Sequence, residues 1–129
     1  MDLDDIVAKV RHVLEHEPGI VVAWIFGSVA RGTARPESDV DVAVAFDDVL
    51  PLPRLLDLQA ALTELLQKET QVVDVRRAPV DLVHRVLRDG ILVVERDRSK
   101  RIRLEVDARN RYFDMRPILL EYRRGARPA

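Results

Sequence analysis

Apolar residues recur at helical intervals near the start of the chain. Within residues 4–16, Ile6, Val7, Val10, Val13 and Leu14 fall on one face, and Pro18 with Gly19 stops the pattern. This predicts an amphipathic first helix. Residues 20–26 are a continuous run of β-branched, aromatic and small apolar side chains, too short for a typical helix and suited to a buried strand, and Gly27 with Ser28 ends it. After a polar segment containing Gly32 and Pro36, Val40, Val42 and Val44 alternate with Asp39, Asp41, Ala43 and Ala45. That alternation predicts a strand with one apolar face and a second face that is acidic at its start. A loop with Pro51 and Pro53 precedes a second long helix over residues 53–69, carried by Leu55, Leu56, Leu58, Ala61, Leu62, Leu65 and Leu66. Residues 72–75 then read as a short strand, residues 79–88 as a helix closed by Gly90, and residues 91–94 as a fourth apolar run. From residue 99 to 124 the spacing of Ile102, Leu104, Val106, Tyr112, Phe113, Ile118, Leu119 and Tyr122 is helix-like but irregular, and Pro117 is expected to kink or divide it. No internal repeat is visible. The class is α/β (α+β), a small mixed β-sheet flanked by helices.

A length of 129 residues with 47% hydrophobic side chains matches one globular domain, 1–129, of which 98–129 is a basic C-terminal helical segment. No apolar run approaches the ~20 residues of a membrane helix, and the acidic start (Asp2, Asp4, Asp5) is unlike a signal peptide, so a cytoplasmic address without membrane association is expected. The absence of cysteine excludes disulfides, thiolate catalysis and cysteine-held zinc or iron–sulfur clusters. Any metal must be held by oxygen or imidazole. The net charge of −1 hides an asymmetry: residues 1–97 carry 11 basic and 18 acidic groups, net −7, whereas residues 98–129 carry 10 and 4, net +6. Such a chain can dock its basic tail on its own acidic body or on an acidic partner, or simply carry a solvated Arg-rich helix. Basic residues outside the tail are scattered and aromatics are 5%, which gives nucleic-acid binding little support.

The candidate chemistry lies between the first two strands. Ten residues separate Ser28 from Asp39. Asp39 and Asp41 project from one strand face about 6.6–6.8 Å apart, within reach of one or two hard cations. Two carboxylates so placed repel each other and raise at least one pKa unless a cation lies between them. Upstream, Gly27 lets an oxyanion approach the backbone, Ser28 adds a hydroxyl donor and Arg31 reaches the same anion. A phosphate cradle beside a metal pair describes nucleoside triphosphate chemistry; either element alone would read as a glycine turn or two surface carboxylates. His12 and His16, four apart on the first helix, lack an evident third metal ligand and read as surface or interface residues. His84 stands outside any motif. Trp24 reads as core, Tyr112 and Tyr122 as packing residues, and Asp81 as a capping or dipole-favoured residue.

Gly27 and Ser28, the ten-residue gap and the Asp39–Asp41 pair, within the string GSVARGTARPESDVDVAVAF, resemble the hallmark of the DNA polymerase beta-like nucleotidyltransferase superfamily. The fuller pattern resembles its minimal nucleotidyltransferases (MNT), the MntA-like antitoxins of HEPN/MNT toxin–antitoxin modules. The resemblance extends over nearly the whole chain, to the tail segment FDMRPILLEYRR. It implies a nucleotidyltransferase that uses ATP or another NTP with two Mg²⁺ ions, or Mn²⁺ in their place. Asp39 and Asp41 would be metal-binding and catalytic, and Gly27, Ser28, Arg31 and Ser38 nucleotide-binding. A third carboxylate is required from a later strand, and Asp74 is the candidate, its alternative being a pairing with Arg76 or Arg77. The acceptor implied is a hydroxyl, typically of a tyrosine, on a HEPN-type toxin encoded nearby, with homo- or hetero-oligomers as the assembly. A non-catalytic antitoxin that masks its partner, and a small-molecule transferase of the aminoglycoside type, are the other readings. The latter usually carries an additional acceptor domain for which this chain has no length.

Overall fold

The computed structural model describes residues 1–48 and 50–125. Helix α1 (Leu3–Glu15) begins at Asp2, whose carboxylate accepts the Asp5 N–H, with Asp4 and Asp5 placed favourably in its first turn. Strand β1 (Ile20–Phe26) runs directly into the five-residue helix α2 (Gly27–Arg31), which Gly32 ends in a left-handed conformation. Strand β2 (Val40–Phe46), helix α3 (Leu52–Leu66) and strand β3 (Thr70–Asp74) form a crossover unit. Helix α4 (Val80–Asp89), strand β4 (Ile91–Glu95) and helix α5 (Arg98–Gly125) complete the order.

The four strands lie in the order β3-β2-β1-β4. β1 pairs antiparallel with β2 and with β4, while β2 and β3 are parallel, which requires the α3 crossover between them. Side-chain alternation then assigns the two faces. Val40, Val42 and Val44 of β2, with Ile25 and Val72, pack against Ile6, Val10 and Leu14 of α1 and Leu58, Leu62 and Leu66 of α3. On the other face Ala43, Ala45 and the buried Trp24 pack against Val83 and Val86 of α4, with Leu104 and Ala108 of α5 alongside. The alanines on this face leave room for α4 to approach the sheet closely.

The mixed sheet and the flanking helices match the expected class. Three details differ. α3 ends at Leu66 because Gln67 turns left-handed (φ +55). α5 continues through Pro117 as one helix and is not divided there. β3 begins at Thr70 and closes at Asp74, two residues earlier than the expected start, a shift that matters at the site below. Asp81 lies in the first turn of α4 as a dipole-favoured residue, but Pro79 holds the cap position, so the capping alternative does not apply. None of the described helices is long and apolar enough to cross a membrane. Arg127, part of the basic tail, lies outside the described residues.

Candidate active site

The end of β1 and the start of β2 are neighbours because these strands are antiparallel, with Phe26 paired to Asp41. Phe26 is extended, and the chain then turns at Gly27 with φ +76, a left-handed value that favours glycine. A β-carbon at Gly27 would collide with the Asp41 carboxylate. The bare backbone of the turn therefore lies directly against this acid. No side chain caps α2, so its first N–H groups are not claimed by a capping side chain.

Asp41 is partly buried, and burial pushes its carboxyl above the ordinary aspartate value. Repulsion from Asp39 adds to this, and Arg31 opposes it. Asp39 and Arg31 thus lie close enough to act on the charge of Asp41. A cavity of about 310 Å³ opens here, lined by Gly27, Ser28, Arg31 and Asp41, with Phe26 at the end of β1. Its far wall is α4, through Leu82, Arg85 and Asp89. Sequence reasoning missed these three residues, although their spacing of three and four places them on one helix face. Asp89 is held by Arg88 at 2.9 Å, and that hydrogen bond keeps its carboxyl below the ordinary range.

Three of the expected residues do not line the cavity. Asp39 lies just before β2, which begins at Val40, and bears on the site through its charge on Asp41. Ser38 closes the turn that precedes β2: its hydroxyl accepts the Arg35 N–H at 2.8 Å and its own N–H donates to the Arg35 carbonyl. It is not among the residues lining the cavity. Asp74 lies opposite Val44 in the β2–β3 ladder, three positions along from Asp41, or about 10 Å at strand rise. An odd number of positions puts it on the opposite face of the sheet. It is 6% exposed, Oδ1 accepts the Arg76 N–H at 2.9 Å, and Oδ2 is 3.8 Å from Arg77 Nε. The pairing alternative for Asp74 is therefore the one the structure contains, and Asp74 does not join Asp39 and Asp41.

Asp39 and Asp41 suit a divalent cation, since both offer hard oxygens and the charge on Asp41, disfavoured by burial and by its neighbour, would be relieved by one. Among the described residues, however, no three carboxylates or histidines converge closely enough to hold an ion. The His12 and His16 rings lie on the outside of α1, tilted at 58° with centres 4.8 Å apart, and the His16 ring is hydrogen-bonded to the His12 carbonyl. His84 of α4 stacks on Tyr112 of α5 at 3.6 Å between ring centres, which confirms Tyr112 as a packing residue.

Comparison with known proteins bears on this geometry. The family model described as Polymerase beta, Nucleotidyltransferase matches residues 8–99, a span that contains the Gly27–Ser28 turn, both acids and α4. A Methanocaldococcus jannaschii protein, provisionally named a protein adenylyltransferase, is 34% identical over 92 residues, covering 71% of this chain and 92% of the relative. A crystal structure of a toxin–antitoxin with AMP-PNP contains a chain of the same fold, with a TM-score of 0.77 at 22% identity over 90% of this chain and 97% of that one. A tri-AMPylated Shewanella oneidensis HEPN toxin in complex with an MNT antitoxin also contains this fold, with a TM-score of 0.70 at 18% identity over 93% and 98% of the two chains.

Proposed function

Because the chain belongs to the Polymerase beta nucleotidyltransferase family, and is by that membership a nucleotidyltransferase, we propose that it moves AMP from ATP to a hydroxyl of a partner protein, a tyrosine of a HEPN-type toxin, and acts as an antitoxin in the cytoplasm. The observation that carries this reading is the Asp41 carboxylate held against the bare Gly27 backbone at the mouth of one cavity. The AMPylated toxin in the Shewanella complex and the adenylyltransferase name of the archaeal relative support the acceptor and the nucleotide.

In this reading the N–H groups at the start of α2 and the Ser28 hydroxyl receive the phosphates, with Gly27 allowing their approach. Arg31 and Arg85, on opposite walls of the cavity, balance phosphate charge and orient the chain of phosphates. Asp39 and Asp41 would hold Mg²⁺ or Mn²⁺, which supplies charge neutralisation and lowers the pKa of the attacking hydroxyl. The acceptor oxygen attacks the α-phosphorus, the bond to the β-phosphate oxygen breaks so that pyrophosphate leaves, and the hydroxyl proton passes to solvent water. The test is incubation of the chain with its genomic neighbour, Mg²⁺ and each NTP, followed by mass spectrometry of the neighbour. An AMP adduct on a tyrosine is expected, with a loss of about a hundredfold or more in rate in Asp41→Asn; no adduct with any nucleotide would overturn the reading.

One observation favours the binding-only alternative. The distal half of α5 exposes Phe113, Ile118 and Tyr122, an apolar surface that a partner could cover without any chemistry. Assaying the partner's activity with the Asp39→Asn/Asp41→Asn double variant separates the two, since a masking antitoxin neutralises its partner equally well without either acid.

A further inference from the structure

The β2–β3 register sets Gln71, not Asp74, beside Asp41. Bridge partners in a sheet project from the same face, with strands about 4.8 Å apart. Gln71 therefore stands one strand over from Asp41 on the same sheet face, with Asp39 just ahead of β2, and it is exposed to solvent. Asp74 is excluded three times over: by its face, by its distance along the strand and by its commitments to Arg76 and Arg77. Glu69, just before β3, accepts the Val40 N–H through its backbone carbonyl, and its carboxylate does not complete a three-acid cluster with Asp39 and Asp41.

We infer that Gln71 fills the third position of the ion site, so that this chain binds a divalent cation with two carboxylates and one neutral amide. The inference rests on the Asp39–Asp41 reading above and specifies its third member. An amide oxygen is a hard ligand that Mg²⁺, Mn²⁺ and Ca²⁺ accept, but it brings no charge, and the number of charged ligands tunes cation affinity over orders of magnitude. The site carries two formal negative charges in place of three. Ion binding before nucleotide is weak as a result, and the phosphates themselves must contribute the missing oxygen ligands and charge. Gln71 also cannot accept the acceptor's proton as a third carboxylate would.

The length-conserving substitution Gln71→Glu tests this on an exposed residue where the fold is not at stake. Free Mn²⁺ is measured by electron paramagnetic resonance while the full chain is titrated, first alone and then with a non-hydrolysable ATP analogue. Gln71→Glu is expected to tighten Mn²⁺ binding by about tenfold or more without nucleotide, and by less with it. Asp74→Asn, whose side-chain oxygen can still accept the Arg76 N–H, is expected to stay within about twofold of the parent, whereas Asp41→Asn weakens binding about tenfold or more. Unchanged affinity in Gln71→Glu, or a loss in Asp74→Asn as large as in Asp41→Asn, overturns the inference and leaves the carboxylate pair standing. Unchanged affinity in Asp41→Asn removes the ion site, and this inference with it.

Discussion

At Gly27 a side chain has no room, because its β-carbon would meet the Asp41 carboxylate while the backbone sits at φ +76. Gly27→Ala therefore combines two penalties, about 1–2 kcal/mol for a left-handed non-glycine residue and a separate one for displacing the acid. Only the second depends on Asp41. A double-mutant cycle with Asp41→Ala should show coupling of about 0.5 kcal/mol or more in urea denaturation; additive effects would mean that the carboxylate swings aside freely. Asp41 itself gives a pH-dependent prediction. Its carboxyl is raised above the ordinary aspartate value, chiefly by burial, so the folded chain holds that proton more tightly than the unfolded one. Stability then falls as pH rises through the interval between the unfolded and folded values, and the whole penalty is present at neutral pH. Without metal, Asp41→Asn should melt higher than the parent at pH 7, with the gap closing as pH falls towards and below 3.8. A constant gap would assign the effect to packing instead. The glycine turn and the Asp39–Asp41 pair are legible because the proposed chemistry requires particular residue types at fixed spacing. Gln71 is not. A polar, exposed residue at the start of a short strand leaves no apolar signal, so the pattern starts the strand at Val72 and offers Asp74, which lies on the other face.

At the scale of elements, apolar periodicity located the four strands and helices α1, α3 and α4, since each buries a face in the core. It failed where the controlling feature is local backbone geometry, as at the left-handed Gln67, or where an element lies outside the core. α5 is such a case. Its proximal half packs through Leu104 and Ala108, but the side chains beyond Tyr112 are mostly exposed, so little burial constrains their spacing. Pro117 in that half lacks the N–H that would bond the Phe113 carbonyl, a defect of about 3 kcal/mol in a helix interior. The chain accommodates it because this part of the helix borders water. Pro117→Ala should increase hydrogen-exchange protection and helicity over residues 110–124 while leaving the global melting temperature nearly unchanged. A large rise in melting temperature would show that the distal half folds with the core.

Across the whole molecule, charge and apolar exposure are separated from the site. The cavity at Gly27 belongs to a body with net charge −7 over residues 1–97, whereas residues 98–129 carry +6. Proximal basic residues of α5 are engaged by the body: Lys100 pairs with Asp47 and Arg101 with Glu95, while Arg101 also pairs with Glu105 within the helix. Arg123 and Arg124 lie at the opposite end of this 28-residue helix and are exposed. A long helix that keeps its far end basic, with the 75%-exposed Tyr122 beside it, fits a docking arm for an acidic protein surface. Steering by such charges acts through a screening length of about 8 Å at physiological ionic strength. Arg123→Glu with Arg124→Glu should therefore slow modification of the partner at low salt and flatten the salt dependence of its rate. Binding of an ATP analogue should stay unchanged, because neither arginine lines the cavity. If modification proceeds at the parent rate at low ionic strength, the two arginines are solvated surface, and the docking contact falls to the apolar positions Phe113 and Ile118, where Phe113→Asp would then abolish it.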